Sequence, residues 1–450
     1  MSKNIFLFSF LGISILNLLI NGFNDSVFYI SILMLFIIIN LIFTFTSSDK
    51  NEFFLPKEKQ NIKLNFIIAF FLSLISTIIF FTNLNNNTIQ NLLNSLIYFL
   101  SNFLILFPYE ISKKYRKKTL LNNDNYYQLA CTKTIILLDE QTDITLKKYL
   151  KIFHRAGINI IINNKIKLST NLSKYFIKTS MKDLNNKNVN SNLQITDAID
   201  LPKIERISKN NEIICCQKFS DLKNVLKKIH ISRNIFNDLK RTIIYRNIFS
   251  ISIVISNILM PLLGFPICFS SKQLVLISFI LYLFVEFFFL YLPHDKKIMN
   301  NIPILKKDSL YSKENKIFTF MQILNIVFAV TISYMASLVN ELSYEMSVSI
   351  LITTYLFTIF FITFQNISDN ATIFNILLNL KNKVALSFIV IIFLLTIFIS
   401  KIPYLSLKNI NPNNYIRCII LALVFVLWFD ITKLARFTTV RKKDKDDKNN

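Results

Sequence analysis

Residues Asp221 to Met299, DLKNVLKKIHISRNIFNDLKRTIIYRNIFSISIVISNILMPLLGFPICFSSKQLVLISFILYLFVEFFFLYLPHDKKIM, decide what kind of protein this is. The opening half is basic, and Leu222, Val225, Leu226, Ile229, Ile235 and Leu239 recur at three- and four-residue spacing, the pattern of an amphipathic helix. The chain then turns apolar with no break signal before Gly264–Phe265–Pro266. A second apolar run follows that turn at once, close to the roughly twenty residues needed to cross a bilayer. The reading is a cytosolic stalk feeding a tight hairpin of two membrane spans.

The whole composition agrees with that reading. Of 450 residues 52% are hydrophobic and 44 are phenylalanine, which places the chain among integral membrane proteins. Only four glycines are present, so glycine-mediated helix packing is not expected. The net charge of +24 lies mainly between and after the apolar runs, where retention of lysine on the cytoplasmic side accounts for it, and no nucleic-acid partner is implied. Cys131, Cys215, Cys216, Cys268 and Cys418 have no zinc-ligand or redox spacing, and His154, His230 and His294 stand alone. Neither a metal nor a cofactor is therefore expected. The first apolar run, from Ile5 to Ile20, has no small-residue cleavage site and reads as a retained helix.

Ten runs read as spans, at 5–22, 27–46, 64–83, 91–108, 243–263, 273–292, 317–338, 346–366, 383–402 and 415–434. Lysine and arginine collect in 47–63, 109–242, 294–316, 367–382 and 435–450, while the loops at 83–87 and 340–345 are neutral or acidic. Basic loops stay on the cytoplasmic side, so both termini are expected there. The chain divides into 1–108, with four spans; 109–242, a soluble region and stalk; 243–437, with six spans; and 438–450, a charge run expected to be disordered.

Within the soluble region, ISKKYRKKTLL at 111–121 reads as a basic helix continuing span four. KTIILLD at 133–139 is a β-branched run ending in an acid, LKKYLKIFHRAG at 146–157 an amphipathic helix, and INIII at 158–162 a second strand. Strand, helix, strand is a βαβ unit and implies a small parallel sheet. EIICC at 212–216 supplies one more strand, and the lysine- and asparagine-rich stretch 181–194 marks a loop.

RNIFNDLKRTI at Arg233–Ile243 resembles the stalk before the fifth span of P-type cation-transporting ATPases, LLGFP at Leu262–Pro266 that family's loop between spans five and six, and LPHDKKIM at Leu292–Met299 its exit from span six. Asn382–Lys383–Val384, Ile402–Pro403–Tyr404–Leu405 and Phe429–Asp430–Ile431–Thr432–Lys433–Leu434 are similar to its SNKW, VPFL and VELIKL segments. The resemblance takes in 64–145, 146–163 and 212–437, and implies a fold: an all-α polytopic membrane bundle with a small α/β, reduced HAD-like cytoplasmic domain.

It also implies where chemistry belongs. The family phosphorylates the aspartate of DKTGTLT, which falls on Asp139–Glu140–Gln141–Thr142–Asp143–Ile144–Thr145. Asp139 keeps the nucleophile's place, but Glu140 puts a negative charge where a lysine would meet the phosphoryl group. The family's next acid is replaced by Asn164–Lys165, and its magnesium loop finds only Thr196–Asp197–Ala198–Ile199–Asp200, without glycine. The 47–63 loop is too short for an actuator domain, and the nucleotide-binding domain is missing between Thr145 and Leu146. The ion-binding segment of span four falls on Leu96–Ile97–Tyr98–Phe99–Leu100, the acid of span five on Ile253, and the ligands of span six on Ser278 and Tyr282.

Two acids remain inside spans, Glu286 and Asp430, with Asn257, Gln322, Asn325 and Gln365 as milder polar intrusions. An intramembrane acid is a functional candidate by default, so Glu286 is the candidate to contact a cation or proton, while the blander reading, which is favoured, leaves it protonated or near the interface. Asp430, near the cytoplasmic end of its span, is expected to pair with Lys433, and the amides to bond across the bundle. The expected function is a pump relative that no longer hydrolyses ATP and acts as a pseudo-pump partner of an intact ATPase or another membrane protein. Alternatives are a passive conduit or secondary carrier through Glu286, or the membrane subunit of a split ATPase.

Overall fold

The structure, a computed structural model, describes residues 2–46, 52–54, 62–83, 89–107, 112–114, 123–137, 147–163, 176–179, 213–216, 221–283, 298–300, 313–366 and 407–449, with 373, 390, 393, 394, 397, 398 and 405. It is mostly helical. Helix α1 (Ser2–Thr46) takes in the first two expected spans and bends at Gly22, whose φ of 78° is open to glycine and costly for other residues. Helices α2 (Ile62–Thr82) and α3 (Ile89–Leu106) follow.

The abundant phenylalanine joins α2 to α3. Phe66 meets Phe103 edge-on at 5.4 Å, Phe70 meets Phe99 at 5.6 Å, and Phe80 stacks on Tyr98 at 4.2 Å. Such pairs add about 0.5–1.5 kcal/mol each beyond the area they bury. Pro108 explains why α3 stops at Leu106, because the residue before a proline is pushed out of the helical region. The basic helix expected to continue span four is accordingly not formed at its start. Ser112–Lys114 is instead a short strand (β2), antiparallel to β1 (Glu52–Phe54), with Phe53 opposite Lys113. Freed from the helix, the backbone groups find a partner in the 47–63 loop.

After α4 (Asn123–Ala130), the expected βαβ unit is present as β3 (Thr134–Leu137), α5 (Lys147–Arg155) and β4 (Asn159–Asn163). With β5 (Phe176–Thr179) and β6 (Ile213–Cys216) these make a four-stranded sheet in the order β5-β4-β3-β6, every pair parallel. The expected loop at 181–194 lies outside the described residues.

Helix α6 (Asp221–Leu262) is one continuous helix of 42 residues. At about 1.5 Å per residue it is some 60 Å long, twice the ~30 Å hydrocarbon core, and so long enough to cross a membrane with about half its length to spare. Helices α7 (Ser271–Leu283), α8 (Lys313–Val339), α9 (Tyr344–Gln365) and α10 (Pro412–Asn449) complete the described bundle. Helix α8 packs on α6 and α9, α10 on α8 and α9, and α3 on α1 and α7.

Six described helices are long and apolar enough to cross a membrane: 63–82, 89–106, 222–262, 316–339, 344–365 and 412–431. Leu7–Phe23, Ser26–Ile38 and Ser271–Leu281 are shorter apolar helices at the first, second and sixth expected spans. The ninth, 383–402, lies mostly outside the described residues.

Helix α9 is the inner member of this group and is buried over most of its length. Its small hydroxyl residues do the work that glycine does elsewhere in close helix packing. Ser349, Thr354, Thr358 and Thr363 each donate to the carbonyl four residues back, at 2.8, 2.9, 2.7 and 2.7 Å, which satisfies these four hydroxyls within the helix, whereas the buried hydroxyls of Ser347 and Thr353 have no partner among the described residues. Helix α10 continues to Asn449, through the charge run expected to be disordered. No glycine or proline interrupts it after Pro412.

Candidate functional site

The described polar groups gather in three places: the carboxyl edge of the sheet, the α6–α7 hairpin, and the end of the α8–α9–α10 bundle.

At the sheet, β3 is central, with β4 on one side and β6 on the other. The chain leaves β3 outward through β4 and β5 and returns to its opposite flank, so the carboxyl end of β3 is the topological switch point, where open α/β sheets hold ligands. Asp139 follows β3 by two residues in the chain but lies outside the described residues, as do Glu140 and the 196–200 segment. The sheet is fastened to the stalk: Ile135, Leu150, Phe153 and Ile160 pack with Leu222, Leu226 and Ile229. Arg233, almost wholly buried, donates through Nη2 to the Ala156 carbonyl at 3.2 Å. Burial lowers its pKa to about 10, which leaves the guanidinium positive at neutral pH.

In the hairpin, Gly264 adopts φ 82° and closes the LLGFP turn. Asn257 Oδ1 accepts from the Phe269 amide at 3.1 Å, and the Cys268 thiol donates to the Ser256 carbonyl at 3.7 Å. Tyr334 and Tyr344 donate to the carbonyls of Pro266 and Ile267 at 3.4 and 3.0 Å, which locks the turn to α8 and α9. Gln273 accepts from Ser270 N at 2.9 Å and donates to the Leu405 carbonyl at 3.2 Å. Ile253 is fully buried in the main apolar core. The Ser278 hydroxyl donates to Val275 O on its own helix at 2.7 Å, and Ile97 and Tyr98 are buried. Tyr282 is helical, its side chain outside the described residues, and Glu286 lies outside them altogether.

The third group is the most connected. Gln322 of α8 donates to Gln365 Oε1 and Asn366 Oδ1 at 3.4 and 3.3 Å. Gln365 Nε2 donates to Asp430 Oδ1 at 2.8 Å and to the Val426 carbonyl at 3.0 Å. Asp430 Oδ2 accepts from the Ile373 amide at 2.9 Å. Two neutral donors thus reach Asp430, and its expected pairing with Lys433 falls on a side chain outside the described residues. Asp430 is buried toward α9, where the Gln365 amide and a backbone N–H reach it. Each such bond to a charged group contributes about 1.5–3 kcal/mol. A carboxylate offers about four acceptor directions, and the two donors fill half of them. The arrangement is a clasp between α8, α9, α10 and the chain just beyond α9.

Sequence reasoning flagged Gln322, Gln365, Asn257 and Asp430 as polar intrusions, and the structure connects three of them. It missed Tyr245, whose hydroxyl meets that of Thr363 at 2.5 Å, and Tyr355, which donates to the Phe249 carbonyl at 3.0 Å. The available signal was a tyrosine in the middle of an apolar run, where its hydroxyl needs a partner. Among the described residues no group of histidine, cysteine and acid is placed to hold a metal.

Residues 266–435 match the family model described as Cation transporting ATPase, C-terminus. The match begins in the hairpin turn and takes in the clasp. No curated protein matches the chain.

Proposed function

We propose, for a chain whose residues 266–435 are a C-terminal membrane domain of P-type cation-transporting ATPases and place it in a family derived from those pumps, that it serves cation transport as a catalytically silent partner. It is a multi-pass integral membrane protein. In the proposed reading it has ten spans, both termini are cytoplasmic, it sits in a bacterial cytoplasmic membrane, and the small sheet is a reduced HAD-like phosphorylation domain. An intact ATPase or another membrane protein is the partner.

One observation carries this reading. Strands β3 and β4 pair directly, and the short stretch of chain between Leu137 and Asn159 holds the crossover helix α5. A parallel crossover needs about a dozen residues, so the connection has no length to spare for a nucleotide-binding domain of the kind the pumps insert there. Glu140 beside Asp139, and buried Ile253 in span five, point the same way.

The test is to purify the tagged chain from its native membranes in mild detergent, identify what accompanies it, and incubate the eluate with radiolabelled ATP. A stoichiometric membrane partner and no acyl phosphate on this chain is the expected result. An acyl phosphate that disappears in Asp139→Ala would overturn silence, and a chain recovered alone would overturn partnership and turn attention to flux through Glu286.

A further inference from the structure

Between α8 and α10, floored by α9 and beside the α8–α9 turn, lies a cavity of about 370 Å³. That size falls within the roughly 300–1,000 Å³ of small-ligand pockets. Ser333, Ala336 and Ser337 keep the α8 wall low. Ile420 and Val424 on the opposite wall are 55% and 57% exposed, so the cavity opens sideways toward lipid and not into the bundle.

One end of it is polar. Asn340 and Asn414 stand there with Arg417, near the start of α10, where the helix dipole adds positive potential. Lys408, on the same face, is engaged with Glu345 at 3.2 Å. Arg417 has no acid and no hydrogen-bond acceptor among the described residues. From Asn414 to Val424 the cavity follows α10 for about 15 Å, half the thickness of the hydrocarbon core and hence the depth of one leaflet.

We propose that this groove binds one anionic phospholipid, with an acyl chain lying between Ala336 and Val424 and the phosphate at Arg417. The charge selects the occupant. A zwitterionic lipid brings no net charge to answer the guanidinium, and a transmembrane polypeptide in the same groove would cover with apolar side chains a cation that has no partner among the described residues, which is costly in a membrane. The site is independent of whether the chain is a silent partner.

The experiment uses the purified full chain in detergent, titrated with phosphatidylglycerol and phosphatidylcholine of identical acyl chains and read by native mass spectrometry. One lipid is retained, with phosphatidylglycerol preferred by about fivefold, the contribution of a single cation near a membrane surface. Arg417→Gln removes the preference while weak binding of both lipids persists, and Ala336→Phe, which fills the groove, removes retention of both. Val424→Trp, at the exposed rim, serves the same purpose if Ala336→Phe does not fold. Equal affinity for the two lipids in the unaltered chain, or a preference that survives Arg417→Gln, overturns the proposal. So does a single-span polypeptide that crosslinks to Ala336→Cys and is not displaced by phosphatidylglycerol.

Discussion

Gln365 donates through Nε2 to Oδ1 of Asp430 at 2.8 Å, joining the ends of two membrane helices that lie 65 residues apart in the chain. The bond matters because both side chains are buried, where an unanswered donor or charge has no water to turn to.

Asp430→Ala takes one acceptor from Gln365 Nε2, which keeps its bond to the Val426 carbonyl, and takes the carboxylate from the Ile373 N–H, at about 1–3 kcal/mol for each donor left unanswered. Thermal unfolding in detergent should shift down by several degrees. Gln365→Leu should also destabilise, but the double variant should lose clearly less than the sum, because the two changes break one bond. Additive losses would mean that the pair is not coupled.

The hairpin gives a contrast between two glycines. A Cβ at Gly264 meets no atom within 4 Å, so Gly264→Ala acts only through its φ of 82°, at a cost of about 1–2 kcal/mol. Gly12 lies inside α1 with equally open surroundings and ordinary helical backbone, and Gly12→Ala should gain about 0.5–1 kcal/mol. Opposite signs in the two melting temperatures are expected; a loss at both positions would refute the backbone explanation.

The stalk contact makes a statement about pH. Burial holds Arg233 at about 10, below the ordinary arginine value, so above that point the folded state carries fewer protons than the unfolded chain. Its contribution to stability therefore rises with pH only in that alkaline window and is flat from pH 6 to 9. Hydrogen exchange in α5 and β4, corrected for intrinsic rate, should be flat over the same range. Arg233→Ala should raise exchange there by at least tenfold, the factor that about 1.4 kcal/mol of lost anchoring implies. Unchanged exchange in the variant would show that the contact does not fasten the sheet.

Burial also predicts the behaviour of Tyr355, whose hydroxyl bonds the Phe249 carbonyl across α9 and α6. Tyr355→Phe preserves the ring contacts with Phe249 and Phe269 and removes only the hydroxyl, with its bond to the Phe249 carbonyl and its approach to Ser252. A loss near 1 kcal/mol is expected. A loss of several kcal/mol in the melting profile would show that the ring itself had moved.

Much of this architecture was legible in the linear pattern, since hydrophobic length and strand periodicity are local properties. The continuous stalk-to-span helix α6, the LLGFP turn and the β3–α5–β4 unit follow from runs of residues adjacent in the chain. The failures occur where a local preference met a competitor. The helix expected over 111–121 gives way to β2 at its start, because Pro108 ends α3 and a distant strand offers hydrogen bonds. The charged tail that composition marks as disordered is helical to Asn449, because nothing in it stops a helix already begun.

Which polar groups would meet was another matter. The chain marked Gln322, Gln365 and Asp430 as out of place among apolar neighbours, because their residue type alone makes them costly in a membrane. It offered Lys433 as the partner of Asp430, because sequence shows only what is near along one helix. The packing of α8 and α10 on α9 supplied Gln365 and the Ile373 amide, partners that no local reading shows, and left Arg417 at the mouth of a groove. Residue chemistry sets the need for a partner and can be read one position at a time; the partner's identity depends on helix rotation and crossing, which arise only when the elements pack together.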